Sequence, residues 1–179
     1  MENDRQEDTD MIDQAGILMA QGLGIASERI QGVNDNMSQS HYHEYYEMYY
    51  LEAGERFHMV EDQLYKMEAG EFMIFPPYVM HHSYGEENIP FKRLVLYFKP
   101  EEILWPSVRD ALKEESGIYR ADIKKRQEIH RVMEGILKEQ KDPGAFHEEY
   151  DRGMLNMLLL LIAREKRPEK APGKSSRIG

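Results

Sequence analysis

The stretch HYHEYYEMYYLEAGE, residues 41–55, crowds histidine, glutamate and tyrosine into one segment and then reaches a glycine. Read at period two, it sorts into two faces. His41, His43, Tyr45, Glu47, Tyr49 and Leu51 share one side of a strand; Tyr42, Glu44, Tyr46, Met48 and Tyr50 share the other. The first side is polar and able to bind a ligand. On the second, Tyr42, Tyr46 and Tyr50 are expected to pack against the N-terminal segment or against helices.

The segments around this strand repeat its rhythm. RFHMV and QLYKM flank a polar tip at Glu61 and Asp62, and EFMIF follows Gly70. Pro76-Pro77 stops that run, because proline has no N–H for a ladder. YVMHHSY and FKRLVLYF complete the set. Short strands with turn signals about every ten residues predict a β-sandwich or barrel over residues 25–100. Phe57 with Met59, and Phe72 with Ile74, are predicted same-face core pairs.

Past Pro100 the period changes to 3.6. Ile129, Val132, Met133, Ile136 and Leu137 form one helical stripe, and Asp142-Pro143-Gly144 breaks it. A second helix is predicted from about 145 to 167. Its stripe is Tyr150, Met154, Met157, Leu158 and Leu161, widened by Leu155, Leu159, Leu160 and Ile162. Two such helices make an antiparallel hairpin over 101–167. A stripe this wide calls for two neighbours, one of which is expected to be a second subunit. A charge at Leu158 or Leu161 should then give a monomer or an insoluble chain. Residues 1–24 read as an arm, disordered to about residue 10. Residues 11–24 are either a short helix or a segment laid over the domain. Residues 168–179 read as a flexible, basic linker.

The chain has 179 residues, 41% of them hydrophobic, and a net charge of −10. That acidity repels a phosphate backbone, so the chain alone is a poor binder of nucleic acid. With no cysteine, disulfides, cysteine-based zinc sites and a cysteine nucleophile are excluded. The longest apolar run, MLLLLIA at 157–163, is far short of the roughly 20 residues that cross a bilayer. No secretory signal opens the sequence, and a cytoplasmic protein without a membrane partner is expected. No G-x-S-x-G, P-loop or dinucleotide fingerprint appears.

Two motifs now stand together. His-x-His, three residues, Glu, six residues and Gly place His41, His43, Glu47 and Gly54; Gly, five residues, Pro and a His five further on place Gly70, Pro76 and His81. This pair resembles the two cupin motifs. Three turn positions depart from the pattern: Asp35 and Tyr78 replace glycines, and Gly85 replaces an asparagine. With MEAGEFMIFPP and RLVLYFKPEEI, the chain is most similar to the sensor domain of AraC-family transcription regulators.

The resemblance covers about residues 25–167. It implies a mainly β fold with an α appendage: a cupin-type jelly-roll barrel followed by a helical dimerisation hairpin. It further implies a homodimer, a linker to a DNA-binding domain absent from this chain, and no enzymatic activity. A small-molecule effector, with sugars among the candidates, would meet His41, His43, Tyr45, Glu47, Tyr49 and His81. In cupin enzymes the positions of His41, His43, Glu47 and His81 hold a divalent metal, here Zn, Ni, Fe or Mn. Two rivals stand beside the sensor: a metal-dependent cupin dioxygenase or isomerase, and a standalone carbohydrate- or metabolite-binding module. Tyr45 and Tyr49 read individually as core. His58, His130 and His147 fall outside the motifs; His130 and His147 read as surface or interface residues, and none of the three is given a role. Trp105 reads as packing.

Overall fold

The computed structural model describes residues 13–33, 41–112 and 117–165. The expected disordered arm, Asp35 and the expected linker lie outside the described residues. The first element is helix α1 (Gln14–Ala20), capped by the Asp13 carboxylate, which accepts from the Gly16 amide. Strands follow: β1 (Ile25–Gly32), β2 (Tyr46–Ala53), β3 (Glu55–Val60), β4 (Gln63–Glu68), β5 (Phe72–Phe75), β6 (His81–Tyr84) and β7 (Phe91–Phe98). After a single 3-10 turn come α2 (Pro106–Leu112), β8 (Ile118–Tyr119), α3 (Ile123–Lys141) and α4 (His147–Ala163).

All strand pairings are antiparallel. One sheet runs β1-β7-β2-β5-β8 and the other β4-β3-β6. Two apolar cores result. One fills the barrel, with Tyr49, Leu51, Met67, Phe75, Phe91 and Val95 among its members, and Ala15 and Met19 of α1 join it. The other lies on the outer face of the large sheet. There Tyr46, Met48, Tyr50, Phe72 and Ile74 meet α2, α3 and α4. Strand β2 is therefore aromatic on both faces because both faces are covered. Of residues 11–24, the described part from 13 onward proves to be both of the things expected: a short helix, and one laid on the barrel.

Four expectations need correction. The strand expected from residue 41 is β2, which begins only at Tyr46; residues 41–45 form a lead-in to it. His41 is held there by a bridge to His81, with backbone N···O distances of 3.0 and 2.9 Å. Tyr42, expected to be packed, is 57% exposed. On β3 the expected core pair is inverted: Arg56, His58 and Val60 are buried, while Phe57 and Met59 are only half-buried. Register explains this, since Arg56 lies opposite Met67 and His58 opposite Tyr65, both inside the barrel. Finally, Leu158 (0% exposed) and Leu161 (8%) belong to the core of the chain itself. The neighbours that the wide stripe requires are α2, α3 and the sheet. Of the stripe on α4, Tyr150 and Met157 are the exposed members, at 52% and 53%.

Two devices fix α3 to the sheet. Gln140 bonds both backbone groups of Ser27, at 2.7 and 2.9 Å, and so occupies the free edge of β1 as another strand would. Beside it, Glu52 takes two hydrogen bonds from Arg29 (2.8 and 2.9 Å) and faces His130 Nε2 at 2.7 Å. Glu134 of α3 closes the cluster on Arg29. His130, read from sequence as surface or interface, is thus a tie between helix and sheet. Burial raises the Glu52 carboxyl pKa, but the bonds from Arg29 and His130 outweigh it and the net shift is downward. A lowered native pKa gives stability that is complete above the unfolded value of 4.5 and fades as pH falls through the native value. Glu52→Gln should cost about 1–3 kcal/mol at pH 7 in urea unfolding, and less at pH 4. An equal loss at both values contradicts the clamp.

Candidate functional site

The barrel mouth is assembled from three short stretches. The lead-in brings His41 and His43, the start of β2 brings Glu47, and the start of β6 brings His81. The Tyr78 amide donates to the His43 carbonyl (2.8 Å) and pins the lead-in across the mouth. Tyr78 itself has φ +67°, the left-handed conformation that the motif normally gives to glycine. Its ring is 63% exposed and lies 6.1 Å from that of Tyr42. Gly54, by contrast, keeps its motif identity for a visible reason. At φ +84° a Cβ there would lie 2.4 Å from the Pro90 carbonyl oxygen.

Glu47 is the centre. It is 5% exposed, and its Oε2 accepts from His81 Nε2 (2.7 Å) and faces His43 Nε2 (3.1 Å). His81 Nδ1 lies 2.9 Å from the Val79 carbonyl, where it must donate. The His41 ring is 4.5 Å from His81 and 4.6 Å from His43. Tyr45 stacks on His43 at 4.8 Å, and Phe75 stacks on His81 at 4.2 Å. Desolvation alone would raise the Glu47 pKa, but the two histidines hold it well below the usual carboxylate range. For His81, burial works downward and Glu47 works upward, with a net rise. His41 is pushed down to about 4, chiefly by burial and then by the charge of His81. The mouth therefore centres on an ionised Glu47, which favours the proton on His81, beside a His41 that is neutral near pH 7.

Four of the six expected ligand residues converge as a tetrad, and Tyr45 lies against it. Tyr49 lies one layer deeper, with its ring edge against His58 at 4.3 Å. Sequence reasoning missed Tyr97 and Asp13. Tyr97 stands opposite Glu47 across the β2–β7 ladder, and its hydroxyl donates to Asp13 Oδ2 (3.3 Å). Only the register reveals it. Asp13 could have been found as a helix cap, though nothing in its spacing places α1 beside the mouth.

The donor set fits a metal ion. One ligand atom from each of His41, His43, Glu47 and His81 lies within 4.8 Å of the others. The Val79 carbonyl fixes the proton on His81 Nδ1 and turns Nε2 toward Glu47, the outer-shell arrangement common to metal-binding histidines. A second group, Glu52, His130 and Glu134, is similarly close. There Arg29 already pairs with both carboxylates.

A jelly-roll barrel with this tetrad at its mouth and helices stacked outside its larger sheet defines a cupin-type ligand-binding domain. The chain belongs to the AraC-like ligand binding domain family, whose model matches residues 25–159. Among solved structures it is similar to apo ToxT from Vibrio cholerae, with TM-score 0.53 and 10% identity, covering 75% of this chain and 54% of that one. The chain thus spans about half the length of ToxT. A cupin protein from Bacteroides fragilis aligns at TM-score 0.40 and 16% identity, over 44% of this chain and 68% of that one. A cupin 2 conserved barrel domain protein from Salinispora arenicola aligns at TM-score 0.39 and 14% identity, over 44% and 66%. No curated protein matches the chain. Among the described residues, no helix is long and apolar enough to cross a membrane.

Proposed function

We propose that this chain is the effector-sensing and dimerisation module of an AraC-family transcription regulator. A small molecule enters at the barrel mouth and meets His41, His43, Tyr45, Glu47 and His81, with Tyr49 as the floor. The observation that carries this reading is the convergence of two imidazoles on the buried Glu47 carboxylate. A ligand hydroxyl finds donors and an acceptor there together, beside aromatic faces suited to a sugar ring. Helix α1 borders the same space through Asp13 and Tyr97. Ligand occupancy thus has a contact through which to bias the N-terminal segment, provided affinity differs between two arrangements. Dimer contacts fall on the exposed α4 face at Tyr150 and Met157. On this reading DNA contact belongs to a separate domain of the regulator. A thermal-shift screen of small metabolites, sugars first, tests the proposal. A saturable rise without turnover is expected. Conversion of the stabilising compound to a product would instead favour the dioxygenase or isomerase reading.

The tetrad geometry supports a second, compatible reading in which His41, His43, Glu47 and His81 hold one divalent metal. When bound, the ion would supply a Lewis-acidic point for ligand oxygens. This chain's own residues do the rest. His41, His43, Glu47 and His81 would hold it, with Val79 keeping the His81 ring oriented and Tyr45 and Phe75 walling the rings in. Protein purified without a His-tag should carry about one equivalent of Zn, Ni, Fe or Mn by elemental analysis, with less retained at pH 5, where protons compete with the ion for the ligand atoms. No stoichiometric metal, and a thermal midpoint unchanged by chelator, would contradict this reading.

A further inference from the structure

The tetrad is sealed by its own chain. Glu47 is 5% exposed and His81 3%, so an ion or an effector reaches Glu47 Oε2 and His81 Nε2 only if a wall of the mouth moves. Those walls are not equally fixed. Glu47 lies on the middle strand of the large sheet, in register with Phe75 of β5 on one side and Tyr97 of β7 on the other. His81 lies on β6, opposite Val60 of β3. Residues 41–45 lie outside both ladders and join them by one isolated bridge. Among the described residues, three backbone hydrogen bonds tie this segment down. His41 N–H donates to the His81 carbonyl (3.0 Å), His81 N–H to the His41 carbonyl (2.9 Å), and Tyr78 N–H to the His43 carbonyl (2.8 Å).

The side chains of the segment have two distinct jobs. Inward, His43 and Tyr45 stack at 4.8 Å and both lie against Tyr97, at 5.4 and 5.1 Å. The His41 and His43 rings lie 4.5 and 5.4 Å from that of His81. These rings cover Glu47 and His81. Outward, the exposed Tyr42 meets the exposed Tyr78 with ring centroids 6.1 Å apart, within the range over which aromatic pairs attract. Tyr78 holds φ +67° while its amide bonds His43, a left-handed conformation costly for so large a side chain. Two tetrad residues, His41 and His43, thus ride on the segment, and two, Glu47 and His81, stand on the frame.

We propose that residues 41–45 are a strap, which lifts from the barrel mouth as a unit to admit what the site binds and closes over it, with Tyr42 and Tyr78 as its outer latch. Closing brings His41 and His43 up to Glu47 and His81. An occupant that touches both pairs therefore favours the closed strap. Admission rests on the sensor reading above; lifting does not, because it belongs to the chain alone.

Amide hydrogen exchange of the purified chain, followed residue by residue by NMR, tests this. The amides of His41, Tyr78 and His81 all bond across the boundary between strap and frame, so lifting frees the three at once. They should share one opening constant, roughly tenfold or more above that of the central amides of β2 and β7. Tyr78→Gly keeps the left-handed turn and removes the ring, and Tyr42→Ala removes the other half of the latch. Either change should raise the shared constant by roughly three- to tenfold and leave the central amides of β2 and β7 unchanged. Zn²⁺ alone, as the probe occupant, should slow the three amides together. Exchange of all three at the rate of the central strands, or fast exchange of His41 alone as a fraying end, overturns the strap; so does a shared constant that neither latch variant alters. Shared opening that Zn²⁺ and every screened metabolite leave unchanged would retain the lifting segment but remove the mouth as the binding site, and the gating role with it.

Discussion

Glu47→Ala should be among the most damaging single changes at the site. The carboxylate is buried and is the common partner of His43 and His81. Its removal leaves His81 in a mostly apolar surround, stacked on Phe75 and with Nδ1 still committed to Val79. Breaking a buried pair from one side typically costs roughly 3–5 kcal/mol, because the remaining charge loses its counterion. Here a protonatable imidazole is what remains, so the cost is pH-dependent. At pH 6 the variant must either keep an unpaired imidazolium or neutralise it against its tendency to protonate; at pH 8 the ring is neutral at little expense. Urea unfolding should therefore show a loss of roughly 3 kcal/mol at pH 6 that shrinks at pH 8. The sign agrees with the raised pKa of His81, whose contribution is full below the unfolded value of 6.5 and disappears as pH rises through the higher native value. A loss independent of pH would mean that Glu47 acts by packing alone.

The second large effect separates the core of the hairpin from its exposed face. Leu158 is wholly buried among α2, α3 and the outer face of the sheet. Leu158→Ala should cost about 2–5 kcal/mol, and Leu158→Asp should leave the helices unable to dock. Met157, one residue earlier and about 100° round α4, is 53% exposed. Met157→Asp should change monomer stability by less than about 1 kcal/mol. With Tyr150→Asp added, it should convert the proposed dimer to monomer in analytical ultracentrifugation. A chain already monomeric at micromolar concentration, or a dimer insensitive to both changes, would remove dimerisation from the proposed function.

Much of this was legible in the sequence because two periodicities and two motifs agree. Period two over 41–51 and 91–98, and period 3.6 over 121–140 and about 145–167, each overlap an observed element. The tetrad was legible because cupin spacing fixes which residues meet, even though His41 and His43 reach Glu47 from a lead-in rather than from the same strand. What sequence hid depends on pairing. In RFHMV both alternating sets are plausible cores, and apolarity favours Phe57 and Met59. The opposite set points inward because its partners are Met67 and Tyr65, a fact of register that local composition does not carry. That same inversion concealed His58 and Arg56. Likewise the α4 stripe could be read as wide, but not which half of it the chain itself covers. The Gln140–Ser27 and Glu52–His130 ties join residues 113 and 78 positions apart, and they become visible only once α3 lies across the sheet.

The seven histidines of this chain supply their own reporters. The most direct measurement is a proton–carbon NMR spectrum of the histidine Hε1–Cε1 groups, recorded as a stabilising small molecule from the screen is added. Binding at the barrel mouth should move the signals of His41, His43 and His81 together, saturating at the affinity seen by calorimetry, while those of His130 and His147 stay in place. Saturable binding that shifts His130 or His147 and leaves the three mouth histidines unmoved would place the effector outside the barrel and contradict the assignment of the site.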